Sequence, residues 1–283
     1  MYGYKEYRNN IIATLSNEIR KNGKEIANGV WRGEQQDSFR HILPLPNGEN
    51  TKRNRIAAIK EYLGIKIDEK FLSKPRALHQ FAHHLNSSQL LCYMTFRPLL
   101  TDEYRPTEEL INLLNSVGIY ISENAKCEFE YNDNLTWDNK PEGTSFDFHI
   151  YDSNKQYFFE IKFTEDGFGD AKKDDSHIKK FDDLYRDKIK DVLNQEVTVD
   201  ECLKYYQLFR NIIRCDSDSN TIVLITDEEN PVTSEELSYF EKNYLNNTNI
   251  NIIPLTWQVL CKKWPKNIQK PFQFICFESE FSI

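Results

Sequence analysis

The chain has 283 residues, 39% of them hydrophobic and 28% charged. That suffices for a sizeable buried core and excludes a disordered chain. Its net charge of −8 argues against a surface that holds nucleic acid by bulk charge alone. No apolar run reaches the roughly 18 residues that a membrane-spanning helix needs. The start, MYGYKEYRNN, lacks a signal peptide's basic residues and apolar stretch, so a cytoplasmic protein without a membrane partner is expected. Cysteines 92, 127, 202, 215, 261 and 276 contain no CxxC pair and read as small buried hydrophobes, with neither a zinc knuckle nor a disulfide framework.

In chain order the first elements are helical. Ile11, Ile12, Leu15 and Ile19 recur at helical spacing, and Gly23 is a plausible stop. Residues 31–53 read as a long connection punctuated by Pro44, Pro46 and Gly48. RIAAIKEYLG is a short helix, RALHQFAHHLNSSQLLCYMTF a longer one, and PTEELINLLNSVG a third with proline in its first turn. From residue 125 the pattern changes. KCEFEY, TSFDFHIYD and QYFFEIKF read as strands; helices follow at 177–193 and 199–215. TIVLIT is apolar enough for a sheet interior, then SEELSYFEKNYL is helical, NINIIPL a strand and TWQVLCKKW a last helix. The expected fold is α/β, a mixed central sheet flanked by helices, with a helical N-terminal extension over 1–75 and the main domain over 76–283.

The chemistry concentrates in the hairpin TSFDFHIYDSNKQYFFEIKF. Alternation puts Phe146, Phe148 and Ile150 on one face and Asp147, His149 and Tyr151 on the other; Phe159, Ile161 and Phe163 oppose Phe158, Glu160 and Lys162. Folded antiparallel, one arrangement gathers the first apolar set with Phe159, Ile161 and Phe163 in a core and sets Asp147, Glu160 and Lys162 together opposite. Two neighbouring carboxylates repel, and a cation relieves the repulsion. Mg²⁺, or Mn²⁺, suits an oxygen site of this size, and a lysine on the same face suits a water and a phosphate. The alternative is a solvent-facing Glu/Lys pair at a sheet edge. Asp68-Glu69-Lys70 and Asp170-Ala171-Lys172 fit the same D-x-K spacing, but neither lies in an apolar strand.

Asp147 followed by Glu160-Ile161-Lys162 resembles the site of the PD-(D/E)XK nuclease superfamily, with Phe146 where the usual proline would stand. HHLNSSQLLCYMTFRPL before the hairpin and KYYQLFRNIIRC after it resemble a bacterial, restriction-endonuclease-like branch, so the resemblance spans roughly residues 80–215. It implies a restriction-endonuclease-like fold and metal-dependent hydrolysis of DNA, with RNA left open. Asp147, Glu160 and the Ile161 carbonyl would be metal ligands, and Lys162 would assist the attacking water and the phosphate. A catalytically silent relative that binds nucleic acid or a protein is the alternative, and a homodimer is left open.

Glu128 and Glu130 share a strand face, and Glu130 is preferred as an extra ligand over a merely paired carboxylate. Gln89, beside Asn86 and Ser88, would hold a water or phosphate, or else only bury a hydrogen bond. Gln207 would buttress the site. Lys204, Asn211 and Arg214 share its stripe and would contact the DNA backbone, unless the stripe is a solvated helix face. His79 and His83 stand at i, i+4, a zinc spacing, with His84 next to them, but no third ligand or HExxH pattern accompanies them. Phosphate loops, G-x-S-x-G elbows and kinase signatures are absent.

Overall fold

The alternating and apolar stretches between 126 and 256 become five strands of one sheet: β1 Lys126–Asn132, β2 Ser145–Asp152, β3 Lys155–Ile161, β4 Asn220–Thr226 and β5 Asn251–Thr256. The structure, a computed structural model, describes residues 3–21, 30–31, 34–35, 41–132, 135–137, 140–141, 144–246, 248 and 250–268. The strands lie in the order β1-β2-β3-β4-β5, antiparallel from β1 to β3 and parallel from β3 to β5. This is the expected mixed sheet flanked by helices. β4 lies between two partners and is buried over most of its length, whereas β5 is an edge strand and so tolerates Pro254.

The chain gathers into two compact units, residues 121–256 and residues 1–120 with 257–283. In the sheet unit, the helices between β3 and β4 are α6 Asp175–Lys180, a π turn Phe181–Tyr185, α7 Arg186–Leu193, α8 Val199–Lys204 and α9 Tyr206–Ile212; α10 Pro231–Phe240 joins β4 to β5. Their starts follow from capping side chains. Thr198 and Glu201 form a reciprocal capping box on α8, and Asn230 caps α10 ahead of Pro231. Phe146, Phe158, Ile222 and Leu224 of the sheet pack with Phe181, Tyr185, Phe209 and Phe240 of these helices. Each such side chain contributes on the order of 1.5–3 kcal/mol by leaving water.

Two expectations about these elements change. The 199–215 stretch is not one helix: Tyr205 (φ −115°, ψ 41°) breaks it, and α9 starts on a new register. Phe146 does not share a face with Phe148. Phe146 packs on Phe158 (4.9 Å between ring centroids), whereas Phe148 packs on Phe159 (5.5 Å), the next residue and hence the other face. Glu130 has φ +48°, and beyond it Tyr131 stacks on His149 on the face of Phe158. Alternation is thus interrupted in both strands beside Asp147.

The other unit carries α1 Tyr4–Lys21, α2 Lys52–Leu63, α3 Glu69–Leu72, α4 Ser88–Phe96, α5 Glu108–Asn115 and α11 Trp257–Lys263. The expected stop at Gly23 lies outside the described residues. The helix expected over 76–96 begins only at Ser88, because Ser87 caps it and residues 76–87 form no helix. In the next helix Thr107 is the cap, which leaves Pro106 just outside. Cys92, Cys127, Cys202 and Cys215 are free and buried, as expected. Among the described residues no helix is long and apolar enough to cross a membrane.

Candidate active site

β2 and β3 pair through Phe148↔Phe159 and His149↔Phe158, a register that sets Asp147 opposite Glu160. The Asp147 carboxylate accepts the Ile161 amide N–H at 2.8 Å. A side chain thus occupies a backbone donor at the point where the two strands stop pairing. Glu160, on the helix-covered face, is 3% exposed. Its Oε1 accepts from Gln207 Nε2 at 2.7 Å and from Lys162 Nζ at 3.1 Å. Lys162 Nζ also donates to Gln207 Oε1 at 2.8 Å, so one carboxamide from the first turn of α9 bridges the carboxylate and the ammonium. Oε2 of Glu160 is buried with no hydrogen-bond partner among the described residues.

The electrostatics follow from this crowding. Burial, then the charges of Glu160 and Glu130, push the Asp147 carboxyl well above its usual range, and Lys162 and the Ile161 N–H only partly offset them. Burial alone would pull the Lys162 ammonium down, but Glu160, Glu165 and Asp147 outweigh it and hold the group above its ordinary value. Lys162 is therefore a cation and a donor here, not a base. Glu130 is buried, accepts from Ser145 Oγ at 3.3 Å and acts on Asp147 through its charge.

A buried carboxylate oxygen without a donor, beside a second carboxylate disfavoured as an anion, fits a hard oxygen-seeking cation. Among the described residues no group of three or more His, Cys, Asp or Glu side chains converges as a metal cage. A site of two carboxylates and a backbone carbonyl does not require one.

A family model described as "Restriction Endonuclease associating with ARP" matches residues 25–274, most of the chain. The protein belongs to this restriction-endonuclease family. No curated protein and no solved structure gives a significant match.

The remaining candidates in this restriction-endonuclease family member separate clearly. Gln207 joins the site. Gln89, in the other unit, accepts from the His79 amide at 3.0 Å and donates to the Arg76 carbonyl at 2.9 Å, holding a turn. Asn211 is 1% exposed and both its amide atoms are buried without hydrogen-bond partners among the described residues, so it offers no surface to a DNA backbone. The break at Tyr205 accounts for this, since it turns the expected polar stripe inward. Lys204 lies over the rings of Tyr205 and Tyr239, and Arg214 is half-buried with its carbonyl accepting from Asn220 at 2.7 Å. His79, His83 and His84 lie outside any helix, which removes the i, i+4 argument for zinc; His83 and His84 pack edge to face with centroids 4.7 Å apart. The sequence also missed Glu236 of α10, whose carboxylate accepts the Phe168 N–H at 2.7 Å.

Proposed function

We propose that the protein is a metal-dependent deoxyribonuclease of PD-(D/E)XK type. Asp147 and Glu160 would hold Mg²⁺ or Mn²⁺, with the Ile161 carbonyl as the further ligand that the superfamily resemblance implies. When bound, the cation supplies Lewis-acid polarisation of the phosphate and a more acidic water. Lys162 directs its ammonium at the attacking water and at charge developing on the phosphate. Gln207 orients Lys162 and leaves the second oxygen of Glu160 uncovered. The unpartnered Glu160 Oε2 carries this reading, because leaving a buried carboxylate oxygen without a donor costs about 1–3 kcal/mol or more unless something fills it. Family membership in a restriction-endonuclease class supports DNA as the substrate.

The test incubates plasmid, linear duplex, single-stranded DNA and RNA with Mg²⁺ or Mn²⁺, with and without a protein partner such as the ARP of the family's description. The expected result is DNA cleavage that EDTA stops and that folded Asp147→Ala and Lys162→Ala lack. Cleavage that survives both substitutions would place the activity elsewhere. DNA binding without cleavage in every arm would favour a catalytically silent module.

A further inference from the structure

We infer that Glu236 is a positioning residue for this site: it pins the Gly167–Phe168–Gly169 turn, and the turn holds the Gln207 carboxamide between Lys162 and Glu160. The inference rests on the nuclease reading for its consequence but on geometry for its substance. Several backbone groups of the segment leaving β3 are tied to α8, α9 and α10. Asn230, fully buried at the start of α10, donates from Nδ2 to the Phe163 carbonyl at 3.2 Å and to the Glu165 carbonyl at 2.9 Å. Glu236, on the same helix, accepts the Phe168 N–H at 2.7 Å. Phe168 is buried in the core beneath the helices. Beyond it, the Gly169 carbonyl accepts the Gln207 N–H at 3.3 Å and the Ala171 N–H donates to the Leu203 carbonyl at 2.9 Å.

The two glycines show how tight the arrangement is. Gly167 has φ +127°, and a Cβ there would lie 2.7 Å from both Glu236 carboxylate oxygens. Gly169 has φ +101°, and a Cβ there would lie 3.3 Å from Gln207 Oε1, the atom that receives Lys162 Nζ. Both positions need a backbone that side chains rarely adopt, and both need the space a side chain would fill. The turn thus bears on Gln207 through its backbone and along the flank of its carboxamide. Glu236 touches neither substrate nor metal in this scheme. Besides its direct charge attraction to Lys162, it acts through Phe168 and Gly169 on Gln207, and through Gln207 on the ammonium of Lys162 and on Glu160 Oε1.

The experiment compares wild type, Glu236→Ala, Glu236→Gln and Gly169→Ala. Glutamine at 236 keeps an oxygen to accept the Phe168 N–H; alanine does not. Steady-state cleavage of a labelled duplex should show kcat lowered about tenfold or more by Glu236→Ala and by Gly169→Ala, with KM within about twofold, because displacement of an aligned group is felt in the chemical step. Glu236→Gln should recover most of kcat. Independently of activity, reductive methylation followed by mass spectrometry should show Lys162, whose side chain is 12% exposed in the wild type, labelled faster in Glu236→Ala and not in Glu236→Gln. If Glu236→Ala does not fold, Glu236→Asp, one methylene short of Phe168, takes its place. A wild type that cuts nothing would sink the nuclease reading alone, and the labelling would still decide the positioning. Unchanged Lys162 labelling, unchanged kcat per folded molecule, or a Glu236→Gln variant no better than alanine would overturn the role of Glu236.

Discussion

Asp68-Glu69-Lys70 and Glu160-Ile161-Lys162 present the same spacing of acid and lysine, and their surroundings are opposite. Asp68 caps α3 through the Phe71 N–H at 2.8 Å and accepts from Tyr104 Oη at 2.7 Å, Tyr93 Oη at 3.1 Å and Arg97 Nε at 2.5 Å. Burial would raise its pKa, but those donors outweigh burial and hold the carboxyl below its ordinary range. Lys70 does not face Asp68's carboxylate; its Nζ lies 4.0 Å from the centre of the Tyr104 ring. Around Glu160 the donors cover one oxygen only, and the neighbouring Asp147 is pushed up rather than down. A carboxylate that stabilises a fold is saturated with donors. One suited to a cation keeps an oxygen open and tolerates a like charge beside it.

Substitutions can break or sharpen that contrast. The largest effect is expected from Glu160→Gln, which keeps a partner for Lys162 but removes the anion; cleavage should fall by roughly 10³-fold or more, as for other losses of charge stabilisation at a reacting centre. Glu160→Gln cutting at wild-type rate would erase the contrast. Asp68→Ala should leave cleavage per folded molecule unchanged and cost about 2–3 kcal/mol of stability, because it strands Arg97 and two tyrosine hydroxyls. Urea unfolding followed by fluorescence measures this, and an unshifted midpoint would mean that those donors find water instead.

Acid distinguishes the two units in a smaller way. Burial, with Arg55 and His79 adding to it, lowers His83 to about 4; burial, with His83 and His41 adding to it, lowers His84 to about 3. The sheet unit has His149, lowered by burial to about 4. An unfolded histidine binds its proton near 6.5, so between that value and 4 the unfolded chain holds more protons than the folded one. Stability should therefore fall as pH drops through this window, more for the unit of residues 1–120 and 257–283, which holds His83 and His84, than for the sheet unit, which holds His149. Hydrogen exchange at pH 7 and pH 5 should show α4 losing more protection than β4; equal losses would contradict it. The smallest expected effect is that of Lys204→Ala, a rise in KM of about two- to fivefold with kcat kept, as for an exposed phosphate contact. A larger fall in kcat would move Lys204 into the site itself.

Much of this was legible in the amino acids. The five strands follow from apolar runs and turn residues, and the hairpin register follows from its short turn. Asp147, Glu160 and Lys162 stood out because charge in an apolar strand needs a reason. What stayed hidden depends on single backbone events. Positive φ at Glu130 and the interrupted pairing at Asp147 send Phe146 to the opposite face from Phe148. The break at Tyr205 turns Gln207 toward Lys162 and buries Asn211, which a continuous helix would have aligned with Lys204. Ser87 starts α4 in the middle of an apparently helical run, because a cap outweighs propensity. Glu236 was invisible for a different reason: its partner, the Phe168 N–H, is a backbone group 68 residues away.

The most direct test follows single-turnover cleavage of a labelled DNA duplex in Mg²⁺ by wild type, Glu160→Gln and Asp68→Ala at matched folded concentration. The proposed function predicts that wild type and Asp68→Ala cut at the same rate and that Glu160→Gln cuts roughly 10³-fold more slowly or not at all. Equal cutting by all three would contradict it.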